Sequence, residues 1–243
     1  MPFWLPERIR RRLLLAPEKL LGKPPSNTFF WSALSSPEMP PNLSIQTLLL
    51  AKKLLEVVEE SLKIDLSFVL SRASLDSDKR VLNSPFGEHY RFIAALTKII
   101  KPNLAIEIGT HRGLATHCLT KFSKNVITFD VKPYDEFPGT LISDKDFSQN
   151  LKQIIGDLYD ERIWCTYIDL FRKADLVFLD GPKDGKFENK LLTKLLQEMK
   201  NDAILIIDDI RFLNMISLWE KIQKPKMDIT SFSHFSGTGV VQI

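Results

Sequence analysis

Leu104-Ala105-Ile106-Glu107-Ile108-Gly109-Thr110-His111-Arg112-Gly113 is the stretch on which the fold turns. Its apolar start reads as a buried strand, Gly109 breaks that strand, and Gly113 stands where a helix opens. Glycines at such a turn let the backbone approach a ligand closely, and the first helical turn offers N–H groups that have no partner inside the helix. The pattern predicts a nucleotide-sized pocket. Its spacing is G-x-x-x-G, not the G-x-G-x-x-G of dinucleotide sites. A pyrophosphate is drawn to a helix N-terminus and repelled by a neighbouring carboxylate, so Glu107 suits a ligand with amine, sulfonium or hydroxyl groups.

Outward from this turn, strands and helices alternate. The expected strands are Leu104 to Ile108, Val126 to Asp130, Leu151 to Ile155, Asp175 to Leu179 and Ala203 to Ile207. The expected helices are Gly113 to Phe122, Asp160 to Phe171, Lys186 to Lys200 and Phe212 to Ile222. Such alternation predicts a mainly parallel sheet covered on both faces. Two strand-like runs, Asp228 to Phe235 and Thr238 to Ile243, are separated by Ser236 and Gly237 and predict a terminal hairpin. Upstream, Ser44 is placed to cap a helix running to about Lys63, with an apolar stripe of Leu48, Leu49, Leu54, Leu55 and Val58. A second helix is expected over Glu88 to Ile100, and the polar segment Ser71 to Gly87 between them reads as a loop.

This organisation divides the chain into a proline-rich basic arm (1–43), a helical cap (44–101) and an α/β domain (102–243). The 243 residues are 44% hydrophobic and 26% charged, enough for one substantial core. A net charge of +3, much of it in Arg8, Arg10, Arg11, Arg12, Lys19 and Lys23, is too small and too local for nucleic-acid binding by the whole chain. Two cysteines exclude a disulfide framework and a cysteine-rich zinc site, which fits a reducing, cytoplasmic setting. Phe3, Trp4 and Leu5 beside the arginines have the composition of a segment that lies on an acidic membrane surface; the competing reading is a basic tail. The arm could also exchange between subunits of a homodimer.

Acids recur at the carboxyl ends of the expected strands, the edge at which open α/β sheets bind ligands. Asp130 lies about 20 residues beyond the glycine turn, where a ribose-binding acid is expected. Asp157 follows the third strand and could accept from an adenine amino group. Asp180 ends the fourth, and Asp208 and Asp209 end the fifth. Any one of them could cap a helix, but five at one edge call for more than capping.

With these residues the chain resembles the class I S-adenosylmethionine-dependent methyltransferases over Glu88 to Ile243. Glu107, Gly109 and Gly113 look like that family's first motif, Asp130 like its ribose acid, and the terminal hairpin like its antiparallel last strand. The resemblance implies a Rossmann-like, doubly wound, mainly parallel seven-stranded sheet with an antiparallel C-terminal hairpin. It also implies S-adenosylmethionine as cofactor, with Glu107, Gly109, Thr110, His111, Gly113, Asp130 and Asp157 around it. A closer similarity is to O-methyltransferases of the catechol and caffeoyl-CoA type. It implies a magnesium-like ion on Asp180, Asp208 and Asp209, and a catalytic lysine at Lys183, three residues after the first of these acids.

The chain departs from that pattern at Gly181 and Pro182, which make a tight turn, and at Asp209, which stands where Asn is usual. Two readings follow. In one, the acids hold a divalent cation that lowers the pKa of an acceptor hydroxyl. In the other, Asp180 orients the acceptor without metal, Asp209 caps the next helix, and Lys183 is a solvated loop lysine. The acceptor is a small molecule or a saccharide in either case. His234, near the end of the sixth expected strand, is a candidate general base if Lys183 is not. His117 reads as structural, and His89 has no specific support. The rival functions are an NAD-dependent oxidoreductase or sugar epimerase, weakened by the missing G-x-G-x-x-G, and a methyltransferase-like binding protein without turnover.

Overall fold

The computed structural model describes residues 44–233 and 236–243. The N-terminal arm and His234 therefore lie outside the described residues. The elements run α1 (Ile45–Ser61), α2 (Ser67–Leu70), α3 (Asp76–Leu82), α4 (Glu88–Ile100), β1 (Ala105–Ile108), α5 (Leu114–Thr120), β2 (Val126–Asp130), α6 (Asp144–Phe147) and β3 (Leu151–Ile155). They continue with α7 (Glu161–Lys173), β4 (Leu176–Leu179), α8 (Lys186–Glu198), β5 (Ile204–Asp208), α9 (Leu213–Lys221), β6 (Lys226–Asp228) and β7 (Thr238–Gln242). Among the described residues no helix is long and apolar enough to cross a membrane.

The seven strands form one sheet in the order β3-β2-β1-β4-β5-β7-β6. Five are parallel; β7 pairs antiparallel with β5, and β6 antiparallel with β7. Helices on both faces explain why the strands read as apolar runs instead of alternating patterns. Along β4, Leu176 and Phe178 enter the core shared with α1, α4 and α5, while Val177 and Leu179 enter the core shared with α7, α8 and α9. Along β5, Ile204 and Ile206 face the first core and Leu205 and Ile207 the second. Order reverses between β1 and β4, so a crevice opens beyond their carboxyl ends.

Local chemistry sets the boundaries. The Ser44 side chain accepts from the Thr47 backbone N–H at 3.0 Å and starts α1 as its cap. Lys101 ends α4 in the left-handed region at φ +47°, just before Pro102. Two expectations need correction. Ser71 to Gly87 is not a loop, since it carries α3 and a 3₁₀ turn over Pro85–Gly87, with Asp78 and Leu82 buried. The sixth strand is Lys226–Asp228, not Asp228 to Phe235. Asp228 ends it by accepting from the Thr230 backbone N–H at 2.8 Å and from the Thr230 hydroxyl, which turns the chain into a 3₁₀ segment at Thr230–Phe232.

Candidate active site

A cavity of about 800 Å³ lies beyond the carboxyl ends of β1, β2 and β4. Its wall includes Gly109, His111, Asp130, Asp157 and Asp180, five of the positions expected from sequence. Phe129, Val131, Phe137, Leu158, Tyr159, Pro182 and Phe187 give the remainder an apolar surface. An apolar pocket of this volume with a few convergent carboxylates suits a nucleoside-sized ligand.

The glycine turn is held open by close backbone contact. Gly109 has φ +103°, and a Cβ there would sit 2.1 Å from the Asp180 carbonyl oxygen. β1 and the loop after β4 can touch at the pocket floor only because this residue lacks a side chain. Gly113, at φ +87°, lies outside the lining; a Cβ there would meet Ile142 Cγ1 at 2.5 Å, so its smallness serves the turn and its packing. His111 occupies the left-handed region at φ +44°, and its backbone N–H donates to Asp130 Oδ2 at 2.9 Å. Asp130 Oδ1 also accepts from the Lys132 backbone N–H at 3.2 Å, and the carboxylate keeps further lone pairs beyond these two contacts. The His111 ring meets Phe137 edge-on at 5.3 Å, and burial, followed by Arg112, lowers its pKa below the ordinary histidine value. Asp157 accepts from the Tyr159 backbone N–H at 2.8 Å, which orders the loop after β3.

Glu107 and Thr110 support this wall from behind and do not line the cavity. Glu107 is buried on β1, and its Oε2 accepts from the Thr116 hydroxyl of α5 at 2.6 Å. Its Oε1 has no hydrogen-bond partner, and burial pushes its pKa up to about 8. Thr110 shares a 2.6 Å hydrogen bond with Thr128 and also accepts from Gln153.

At the ends of β4 and β5, Asp180, Asp208 and Asp209 converge, each offering a carboxylate oxygen within 4.8 Å of the others. The Lys183 ammonium lies among them. It pairs with Asp180, donates to the Gly181 carbonyl at 3.2 Å, and stands 3.3 Å from Asp209 Oδ2 and 4.0 Å from Asp208 Oδ2. Burial works against the Lys183 charge, but Asp180, then Asp208 and Asp209, outweigh it and hold its pKa above the usual lysine value. For Asp180, burial is the leading effect; Lys183 opposes it, Asp208 and Asp209 add to it, and the carboxyl is raised overall. Lys183 is thus no solvated loop residue, and as an ammonium it has no lone pair with which to act as a base.

Sequence reasoning missed two contributions to the site. Asp184 and Lys186, also in the pocket wall, follow β4 and could have been found by the strand-end logic that singled out Asp180. The ion pair between Asp78 of α3 and Arg112 of the glycine turn had no local signal, because its partners are 34 residues apart.

Residues 106–210 match a family model described as a methyltransferase domain. That match spans less than half of the chain and includes the glycine turn, Asp130 and the acids at the ends of β4 and β5. The matched segment includes the glycine turn that borders the cavity, and the β6 and β7 strands follow it. In fold the chain is similar to the O-methyltransferase TomG from Streptomyces achromogenes, involved in tomaymycin synthesis and solved with SAM. The TM-score is 0.52 at 14% identity, over 78% of this chain and 95% of that one. An O-methyltransferase from Bacillus cereus, solved with SAH, gives a TM-score of 0.50 at 16% identity, over 77% of this chain and 90% of that one. At such identities the likeness is one of fold. No curated protein matches the chain.

Proposed function

We propose that the enzyme transfers the methyl group of S-adenosylmethionine to a hydroxyl of a small molecule or saccharide. The observation that carries the reading is that one cavity is lined by Asp130 and Asp157, which would take the nucleoside, and by Asp180, which pairs with Lys183 and would face the acceptor. The sulfonium is already a good electrophile, so the protein must align the acceptor oxygen with the methyl and manage one proton. In this proposal Asp180 takes the hydroxyl hydrogen bond and the Lys183 ammonium offsets the negative charge that develops on oxygen. The oxygen–carbon bond forms as the sulfur–carbon bond breaks, leaving S-adenosylhomocysteine and one proton. Tyr134 to Asp146 and the cap are the segments that would shape the acceptor.

The donor set at Asp180, Asp208 and Asp209 also fits a divalent cation, since three carboxylates that offer oxygens within 4.8 Å of one another are hard oxygen ligands. When bound, such an ion would lower the pKa of the hydroxyl. The two free cysteines, Cys118 buried and Cys165 exposed, support a cytoplasmic setting, and the N-terminal segment is proposed to touch acidic membrane surfaces or a second subunit. His234 is retained as a proposed base.

Calorimetric titration with S-adenosylhomocysteine and with NAD tests the reading, followed by mass spectrometry of hydroxylated acceptors incubated with S-adenosylmethionine. Binding of S-adenosylhomocysteine with a 14-dalton mass gain on an acceptor is the expected result, one hydrogen being replaced by methyl. NAD binding in its place would restore the oxidoreductase reading.

A further inference from the structure

Helix α1 carries apolar residues on two opposite faces. Leu50, Leu54 and Val57 are buried where the helix packs on α4 and β6. On the other face Ile45, Leu48, Leu49, Leu55 and Leu62 are 57–82% exposed. Single exposed leucines are ordinary, but five on one side of one helix form a patch that marks an interaction surface. The outer face is also patterned: Ile45, Leu48, Lys52, Leu55, Glu59 and Leu62 follow one another in alternating steps of three and four residues. That is the spacing of a seam between two helices.

Charge divides along the same face. Lys52 and Lys53 lie in the first half of α1, and Glu56, Glu59 and Glu60 in the second. Glu60 is engaged by Lys98 of α4 at 2.5 Å and Glu59 by the exposed Lys63 at 3.3 Å. Lys52 and Glu56 have no ion pair among the described residues.

We propose that the outer face of α1 docks a second copy of this chain as an antiparallel helix pair. A two-fold axis through the middle of the helix lays the end at Ile45 to Leu49 over Leu62 of the other copy. It also brings Lys52 of each copy to Glu56 and Glu59 of the other, and each contact occurs twice. A parallel pair would instead set Lys52 against Lys52 and Glu59 against Glu59, which is unfavourable. The acids on the face likewise oppose an acidic lipid surface as its occupant. The contact requires neither cofactor nor turnover.

Sedimentation velocity on the full chain, from about 1 to about 200 µM, tests the proposal. Wild type should show a concentration-dependent monomer–dimer equilibrium. Leu55→Glu and Lys52→Glu should each weaken the dimer about tenfold or more, with circular dichroism unchanged because both side chains are outside the core. Adding Glu56→Lys and Glu59→Lys to Lys52→Glu reverses the polarity of the face and should restore the dimer. A monomer at every concentration would overturn the proposal, as would a dimer indifferent to Leu55→Glu or a triple variant no tighter than Lys52→Glu alone. Flotation of a monomeric wild type with phosphatidylglycerol vesicles, lost in Leu55→Glu, would overturn it in favour of a lipid surface.

Discussion

Arg112 of the glycine turn and Asp78 of α3 form a two-pronged ion pair that ties the helices before β1 to the turn after it. Arg112 Nε donates to Asp78 Oδ2 at 2.9 Å and its Nη2 pairs with Oδ1. The Asp78 side chain is 2% exposed. A parallel tie lies nearby, where Arg72 pairs with Asp146 at 2.9 Å and donates to the Leu141 carbonyl at 3.2 Å. The cap therefore grips both the turn that starts α5 and the loop that precedes β3.

Removing one partner of a buried pair strands the other charge, which typically costs about 3–5 kcal/mol. Asp78→Ala should lower the unfolding free energy by roughly the lower end of that range, because Arg112 keeps some access to water. Urea denaturation measures it; a change below 1 kcal/mol would show that the pair contributes little.

Gly109→Ala should abolish S-adenosylhomocysteine binding, because the added Cβ meets a backbone carbonyl 2.1 Å away that has no rotamer with which to yield. Gly113→Ala meets the flexible end of Ile142 instead, and should retain measurable affinity. Titration calorimetry on the pair distinguishes a closed crevice from a strained turn.

Asp130→Ala should weaken S-adenosylhomocysteine binding by about 1.5–3 kcal/mol, the usual worth of hydrogen bonds to a charged group. Asp130→Asn should recover part of the loss, since its remaining carbonyl still accepts from the His111 N–H or from a ribose hydroxyl. Unchanged affinity in the alanine variant would remove Asp130 from the site.

Glu107 makes stability depend on pH in a definite direction. Its folded pKa, about 8, lies above the ordinary glutamate value of 4.5, so the folded state favours the protonated carboxyl. That contribution is fully present below about 4.5 and is lost as pH rises through about 8. Glu107→Gln, which cannot ionise, should gain stability relative to wild type across that window and hold a constant advantage above it. Urea midpoints from pH 5 to 9 test this; parallel curves for the two proteins would contradict it.

Much of this architecture is local in origin and was therefore open to reading. Strands β2 and β3 and helix α4 fall on their expected bounds, because buried parallel strands are apolar runs and helix ends carry their own caps and prolines. The segment 71–87 escaped because its composition is polar while its structure depends on distant groups: Asp78 is buried only because Arg112 comes to meet it, and Leu75 packs where Gly139 has no side chain. Gly113 shows the same limit, since its neighbour Ile142 belongs to a loop that no local pattern links to the turn.

By itself, the sequence determined the strand–helix alternation, the glycine turn and the row of acids at one sheet edge, because each follows from side-chain periodicity and backbone freedom within a few residues. Only the tertiary structure decided which of those acids share a cavity and that Glu107 stands behind its wall. It also decided that Lys183 points into the carboxylates rather than into solvent. Those outcomes rest on strand order and on left-handed turns pinned by Glu188 and Asn214, which bring together groups that the chain keeps apart.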